Sequence, residues 1–403
     1  MIAPLLERLL RARRLVPVVV ALLVARVAFT SWLFTLPGKD GGRINPTDFH
    51  AFFVAGRLAL EGRIAQAYDL DLFLAAQQRL IGSAEFLPWT YPLHANLVTA
   101  VLATMPIWLG NLVLGLASIA LFMAGMARLA GPNLPLVLVA VLPALMTCLR
   151  SGQNGVAMAG LMALLAHGAL AGRWQAGVPL ALLTMKPHFL PGVGLWLLGR
   201  RAFAIILVGG LGALALVAAA SWLFTPAAWT AFLGGVGEAS AYLRDGRYPL
   251  HRMTTIYATL FRAGVAPGLA LALHGAVAAG WLGLLLWSAA ARWPAAQQLA
   301  VALFFTLFLT PYGYDYDAGL AGVALALLAT QARAHGSANQ LVLLCLLLWV
   351  AGLSGVAMTD AYADAADIHA RLAQMPSLGG PALQAMALLL LWIVRRQPVR
   401  PLA

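Results

Sequence analysis

The sequence predicts an all-α polytopic membrane protein, and three observations carry that prediction. Of 403 residues, 62% are hydrophobic and only 10% charged, and the mean hydropathy is +0.85. Apolar runs of about 20 residues recur along the chain, the length a helix needs to cross a bilayer. Those runs are continuous rather than alternating, which excludes a β-barrel. The formal charge of +12 comes from basic residues scattered at the ends of apolar segments. Membrane topology therefore explains it, and no nucleic-acid surface is implied. Cys148 and Cys345 sit inside apolar runs as small hydrophobes and imply no disulfide framework.

At the N-terminus Arg8, Arg11, Arg13 and Arg14 precede an apolar run from about Leu15 to Leu36, and the positive-inside rule holds that cluster in the cytoplasm. No small-residue cleavage site follows, so the run reads as a retained first span. Arg395, Arg396 and Arg400 follow the last apolar run without an acidic partner. Both termini are expected to be cytoplasmic, with an even number of crossings among ten to twelve spans. Further spans fall at roughly 93–109, 112–130, 134–149, 154–171, 202–224, 267–290, 296–310, 318–332, 339–358 and 381–396, with Gly110-Asn111 as a brief loop between the first two. The run 175–199 is broken at its centre by Pro187, which predicts two short helices that meet there.

Between the first two spans lies a polar segment, 44–92, expected to be an external loop. Asn45-Pro46-Thr47 reads as a turn into a helix over 48–60, with Thr47 at its cap and Asp48 in its first turn, where the helix dipole favours an ionised carboxylate. Phe49, Phe52, Phe53, Leu58 and Leu60 oppose Asp48, His50, Arg57 and Glu61, so the helix is expected to lie along the membrane surface. A second short helix follows at about 71–81. By position alone Asp48 is either a helix-start residue or a reactive group.

Ionisable residues inside a greasy chain are functional candidates because of what their placement costs. Trp89 and Tyr91, before the second span, are either interface anchors or part of a site. Arg150-Ser151-Gly152-Gln153-Asn154-Gly155 sets two amides between glycines at a helix start. Lys186, one of two lysines in the chain, sits beside Pro187 and His188 and needs an anionic partner. The segment 225–265, read as a second external loop, carries Arg244, Arg247, His251 and Arg252 within nine residues, a spacing able to grip a phosphate. Late in the chain Tyr312, Tyr314, Asp315, Tyr316 and Asp317 combine polar aromatics and acids, a mixture suited to sugars. No phosphate loop, zinc spacing or serine nucleophile elbow competes, and Asp315 with Asp317 is a weak cation signal.

Taken together, DF-x-AFF-x-AGR-x-AL-x-G after the first span, YP opening the next, SGQN before a helix, MKPHFLP and TPYGYDYD resemble glycosyltransferase family 87 over about 44–330. The resemblance implies a bundle of the kind shared by polyprenyl-phosphate-sugar-dependent membrane enzymes, with residues 1–403 as one glycosyltransferase domain. It implies transfer of a hexose, mannose favoured, from a polyprenyl-phosphate-linked sugar to an envelope lipid or glycan acceptor on the non-cytoplasmic face of the cell membrane, without a cofactor or metal. The family's catalytic aspartate falls on Asp48. This chain departs from the usual pattern in having YPL for YPP, and Tyr314 and Tyr316-Asp317 where Trp and His are common. Displacing a phosphate that carries its own charge needs a base for the acceptor hydroxyl and no protein acid, so one carboxylate suffices, unlike a glycosidase pair. Lys186, His188, Arg244, Arg247, His251 and Arg252 are the candidates for the donor phosphate, and His50, Tyr91, Gln153, Asn154, Tyr314, Asp315 and Asp317 those for substrate. The competing class is a transporter or flippase, which would ordinarily carry an internal repeat with interrupted helices in matching positions; no such repeat is present. A family member that only scaffolds an envelope-assembly complex is a third reading.

Overall fold

The computed structural model describes residues 12, 14–36, 47–363, 365 and 367–395. Arg8, Arg11, Arg13, Arg396, Arg400 and the turn over 44–46 lie outside the described residues. In chain order the helices are α1 (Leu15–Leu33), α2 (Asp48–Leu60), α3 (Leu70–Ile81), α4 (Asn96–Ala103), α5 (Ile107–Ala130), α6 (Leu134–Ser151), α7 (Gly155–Leu170), α8 (Gly177–Leu183) and α9 (Pro191–Gly199). They continue with α10 (Phe203–Phe224), α11 (Ala227–Arg244), α12 (Ile256–Arg262), α13 (Pro267–Ala290), α14 (Ala295–Leu309), α15 (Gly319–His335), α16 (Ala338–Ala361), α17 (Ile368–Leu372) and α18 (Gly379–Arg395). Among the described residues no strand forms, and an isolated antiparallel bridge joins Met253 to Tyr314.

Five stretches are long and apolar enough to cross a membrane: α1, the α5–α6 stretch Ile107–Ser151, α10, α13 and α16. Shorter apolar helices, including α7, α14 and α18, pack among them. The chain is an all-α polytopic membrane protein. Its outward faces are aliphatic at helical spacing, as on α10, where Phe203, Leu207, Leu211 and Leu214 are exposed to the bilayer. The interior is just as apolar, so small residues at the contacts let the helices approach. Gly160 of α7 is one such point, where a Cβ would lie 2.5 Å from the Phe122 backbone nitrogen of α5.

Three sequence expectations change. Gly110-Asn111 is not a loop but lies buried inside α5, and the break falls at Thr104–Pro106 instead. Asn111 is tolerated there because its Nδ2 donates to Ser31 Oγ of α1 at 2.8 Å, an interhelical bond that replaces the water a loop would supply. The 225–265 segment is not an open loop either, since α11 and α12 occupy most of it.

Helix α2, finally, does not rest its greasy face on lipid. Phe49, Phe52, Val54 and Leu58 are buried in a second apolar core with Ile64, Phe73, Trp89, Leu93 and Phe224, and α2 packs against α3, α4 and α5. Most apolar residues of α2 thus find their partners within the protein, while Leu60 at its end stays exposed. The run 175–199 does divide at Pro187, into α8 and α9 with a 3-10 turn at Pro187–Phe189 between them.

Candidate active site

Five chain segments converge on one cavity of about 490 Å³: the start of α2, the Trp89–Pro92 approach to α4, the Met185–His188 break, the stretch Tyr248–Arg252 after α11, and the Tyr312–Asp317 segment before α15. Helix α11 closes one side through Phe232, Val236 and Leu243. Asp48 lines this space at the first residue of α2. That helix starts where it does because the His50 ring reaches back, its Nδ1 accepting the Thr47 backbone N–H at 2.8 Å. His50 is therefore a cap packed edge-on against Phe34, turned away from the cavity where it had been assigned to substrate.

Each cation on the wall of the cavity is bonded to a carboxylate. Lys186 Nζ lies 2.9 Å from Asp317 Oδ1, with both side chains 6% exposed. Arg252 forks onto Asp315 at 2.9 and 3.0 Å, and donates a further bond to Ser151 Oγ at 3.3 Å. The anionic partner that Lys186 requires is thus supplied within the chain. Asp315 and Asp317 diverge onto different cations, so they do not act as a paired cation site. Tyr316 lies between the two pairs, its ring centroid 5.2 Å from Lys186 Nζ and 5.8 Å from Arg252 Cζ.

The aromatic walls are built in two groups. Trp89 stacks on Tyr91 at 4.8 Å, with Phe52 edge-on to both. Tyr91 is held at both ends: its hydroxyl donates to Gln153 Oε1 or Asn154 Oδ1 at 3.1 and 3.2 Å, and its carbonyl accepts from Tyr68. Opposite, Tyr248, Tyr312, Tyr314 and Tyr316 form a chain of rings about 5 Å apart.

Electrostatics revise two expectations. Burial raises the Asp48 carboxyl above its ordinary range, and Arg252, the Gln153 side chain and Lys186 pull it back only in part. The helix dipole alone does not decide its charge. Burial, helped by Lys186, holds the His188 imidazole down at about 4, and burial with Arg252 and Arg262 does the same to His251. Burial thus works against a positive charge on either ring.

Of the residues singled out from the sequence, Asp48, Tyr91, Gln153, Lys186, His188, Arg252, Tyr314 and Asp317 line the cavity. Asn154 and Asp315 stand behind it as partners of Tyr91 and Arg252. Arg244 is exposed at the end of α11, Arg247 is sandwiched between the Phe86 and Tyr242 rings at 4.6 and 4.5 Å, and His251 bonds Thr359. None of these three, nor His50, reaches the cavity wall. Phe52, Tyr248 and Ser151 are legible in the sequence only as members of an apolar face, a loop and a turn, with no site role assigned to them. Tyr312, Tyr314 and Tyr316 recur at every second residue and all line the cavity, although Tyr316 lies in the 3-10 turn Asp315–Asp317.

The helical bundle thus encloses a cavity with aromatic walls and a few charged groups, Asp48, Lys186, Arg252 and Asp317. The model of glycosyltransferase family 87 matches residues 89–311, more than half of the chain, and the chain belongs to that family. The match includes Tyr91, Gln153, Lys186 and Arg252, while Asp48 and Tyr314–Asp317 flank it. No curated protein and no solved structure matches the chain.

Proposed function

We propose that this membrane glycosyltransferase moves a hexose, mannose favoured, from a polyprenyl-phosphate-linked sugar to an envelope lipid or glycan acceptor on the non-cytoplasmic face, with Asp48 as general base. The chain acts as one unit, the 44–92 segment supplying the base. One observation carries this reading: Asp48, whose carboxyl the Gln153 side chain hydrogen-bonds, shares a cavity wall with two cations that other buried carboxylates hold in place. Asp48 removes the acceptor hydroxyl proton as that oxygen bonds to the anomeric carbon. The bond from that carbon to the phosphate oxygen breaks on the opposite face, which inverts the centre. The departing polyprenyl phosphate keeps the electron pair, and Lys186 and Arg252 stabilise its growing charge. His188 contributes a neutral hydrogen bond. Tyr91, held by Gln153 and Asn154, and the Tyr312–Tyr316 rings offer flat surfaces for sugar or lipid.

The raised Asp48 carboxyl suits this role, because a base is most effective when its pKa approaches working pH. The test is transfer from labelled polyprenyl-phosphate sugars into membrane lipid. Asp48→Asn keeps the shape and loses the basicity, so turnover is expected to fall about 10²–10⁴-fold with donor binding retained. Near-wild-type turnover would make Asp48 structural and move the base to Asp317 or Asp315.

A further inference from the structure

Away from the cavity, α1 carries an arginine in its middle. Arg26 follows Leu22, Leu23, Val24 and Ala25 on a span of mean hydropathy 2.0. Its Nε is buried without a hydrogen-bond partner, and its guanidinium sits 5.3 Å from the Phe29 ring centroid. Within electrostatic reach lie Arg150, at the end of α6, and Asp360, at the end of α16. Arg150 grips Asp360 with both terminal nitrogens. Arg150 takes that carboxylate, and Arg26 faces the Phe29 ring with no ion pair to Asp360 within 4 Å. An unpaired charge on a transmembrane helix is costly enough to call for an anion. Beside it Leu22, Val24 and Phe29 are exposed to the bilayer, so an acyl chain can lie along α1 while its headgroup reaches the arginines. From Arg26 to the end of α1 is seven residues, about 10 Å of helix, a span that a snorkelling side chain and a phosphate can bridge from opposite directions.

We propose that Arg26 and Arg150 form a binding site for the phosphate headgroup of an anionic membrane lipid, separate from the reaction cavity. Arg26 and Arg150 supply the charge, and Asp360 fixes Arg150 in a forked geometry that leaves Arg26 free to bond. None of the three residues lines the cavity. Ser151, next to Arg150, accepts a hydrogen bond from Arg252 of the cavity wall.

Native mass spectrometry of the purified full-length protein, titrated with phosphatidylglycerol, phosphatidylcholine or inorganic phosphate, tests the site. Wild type is expected to retain phosphatidylglycerol over phosphatidylcholine, with Arg26→Leu weakening that retention about ten-fold or more and Arg26→Lys keeping most of it. Arg128→Gln, an exposed arginine on α5, is expected to leave it unchanged. Leucine is at home on a span, and retained transfer activity in Arg26→Leu reports that the protein is folded. Equal retention of the two lipids, or of phosphatidylglycerol by wild type and Arg26→Leu, would overturn the proposal. So would inorganic phosphate binding as tightly as the lipid, which would make this a free-ion site.

Discussion

Single residues in this molecule are set by which neighbour neutralises them. Lys186 and Asp317 are both nearly inaccessible and 2.9 Å apart, so removing one leaves a buried charge unanswered. Asp317→Asn is expected to destabilise by about 3–5 kcal/mol. The double change Lys186→Met with Asp317→Leu should recover much of that stability in a thermal melt and none of the activity, which separates folding from chemistry. Asp48 gives a pH prediction. Its carboxyl is raised above 3.8 chiefly by burial, and only the ionised form is a base. Turnover should therefore fall as pH drops through a value above 3.8, and that limb should disappear in Asp48→Asn. The same shift works against stability, because the folded state holds the proton more tightly than the unfolded chain. Stability contributed by this group is lost as pH rises through the raised pKa, so Asp48→Asn should melt no lower than wild type at pH 7. Candidate residues were legible in the sequence as polar interruptions of an apolar chain. Their partners were not, because Lys186 and Asp317 are 131 positions apart, and no local pattern reports such a pairing. Arg244 and Arg247 show the converse: clustered in sequence with Arg252, they part company once α11 ends and the chain turns.

At the scale of elements, the site depends on two places where the backbone must come close. Gly152 ends α6 with φ of 67°, and a Cβ there would meet Phe49 Cβ of α2 at 2.5 Å. Gly155 opens α7 against the Tyr316 carbonyl, which an added Cβ would meet at 2.4 Å. These contacts bring SGQN against α2 on one side and against the Tyr314–Asp317 turn on the other. Gly155→Ala is expected to cost about 1–3 kcal/mol by overpacking and to impair transfer by displacing Asp317. Gly210→Ala on α10, with open space around it, should be neutral or slightly stabilising. Melting temperature and turnover of the two variants, measured side by side, check this. Helix existence was readable from hydropathy throughout, and Pro187 marked its own break. Two signals misled. The Gly110-Asn111 pair has loop chemistry, yet Ser31 on α1 satisfies it. The amphipathic face of α2 marks a buried contact as well as it would mark a membrane surface, since both are apolar solvents for phenylalanine.

On the scale of the whole molecule, the positive ends of the sequence and the position of the cavity make a single claim about orientation. Arg14 precedes α1, whereas Asp48 follows it by a connection of fewer than 15 residues. If α1 crosses the membrane once, Asp48 is expected on the face opposite Arg14. The basic cluster Arg8–Arg14 is expected to stay in the cytoplasm, because translocating it would oppose the positive-inside bias. The other end argues independently: α18 finishes in Arg395, followed by Arg396 and Arg400 with no acid among the last residues. Two cytoplasmic ends require an even number of crossings. With that orientation the cavity is expected on the non-cytoplasmic face, the side that the proposed lipid-linked donor requires. Reporter fusions active only in the cytoplasm should report from both termini, and a cysteine introduced at exposed Glu61 at the end of α2 should be labelled by an impermeant reagent from the opposite side. Either terminus reporting outside, or Glu61→Cys labelled only in opened cells, would put the cavity on the cytoplasmic face and require a donor that never crosses.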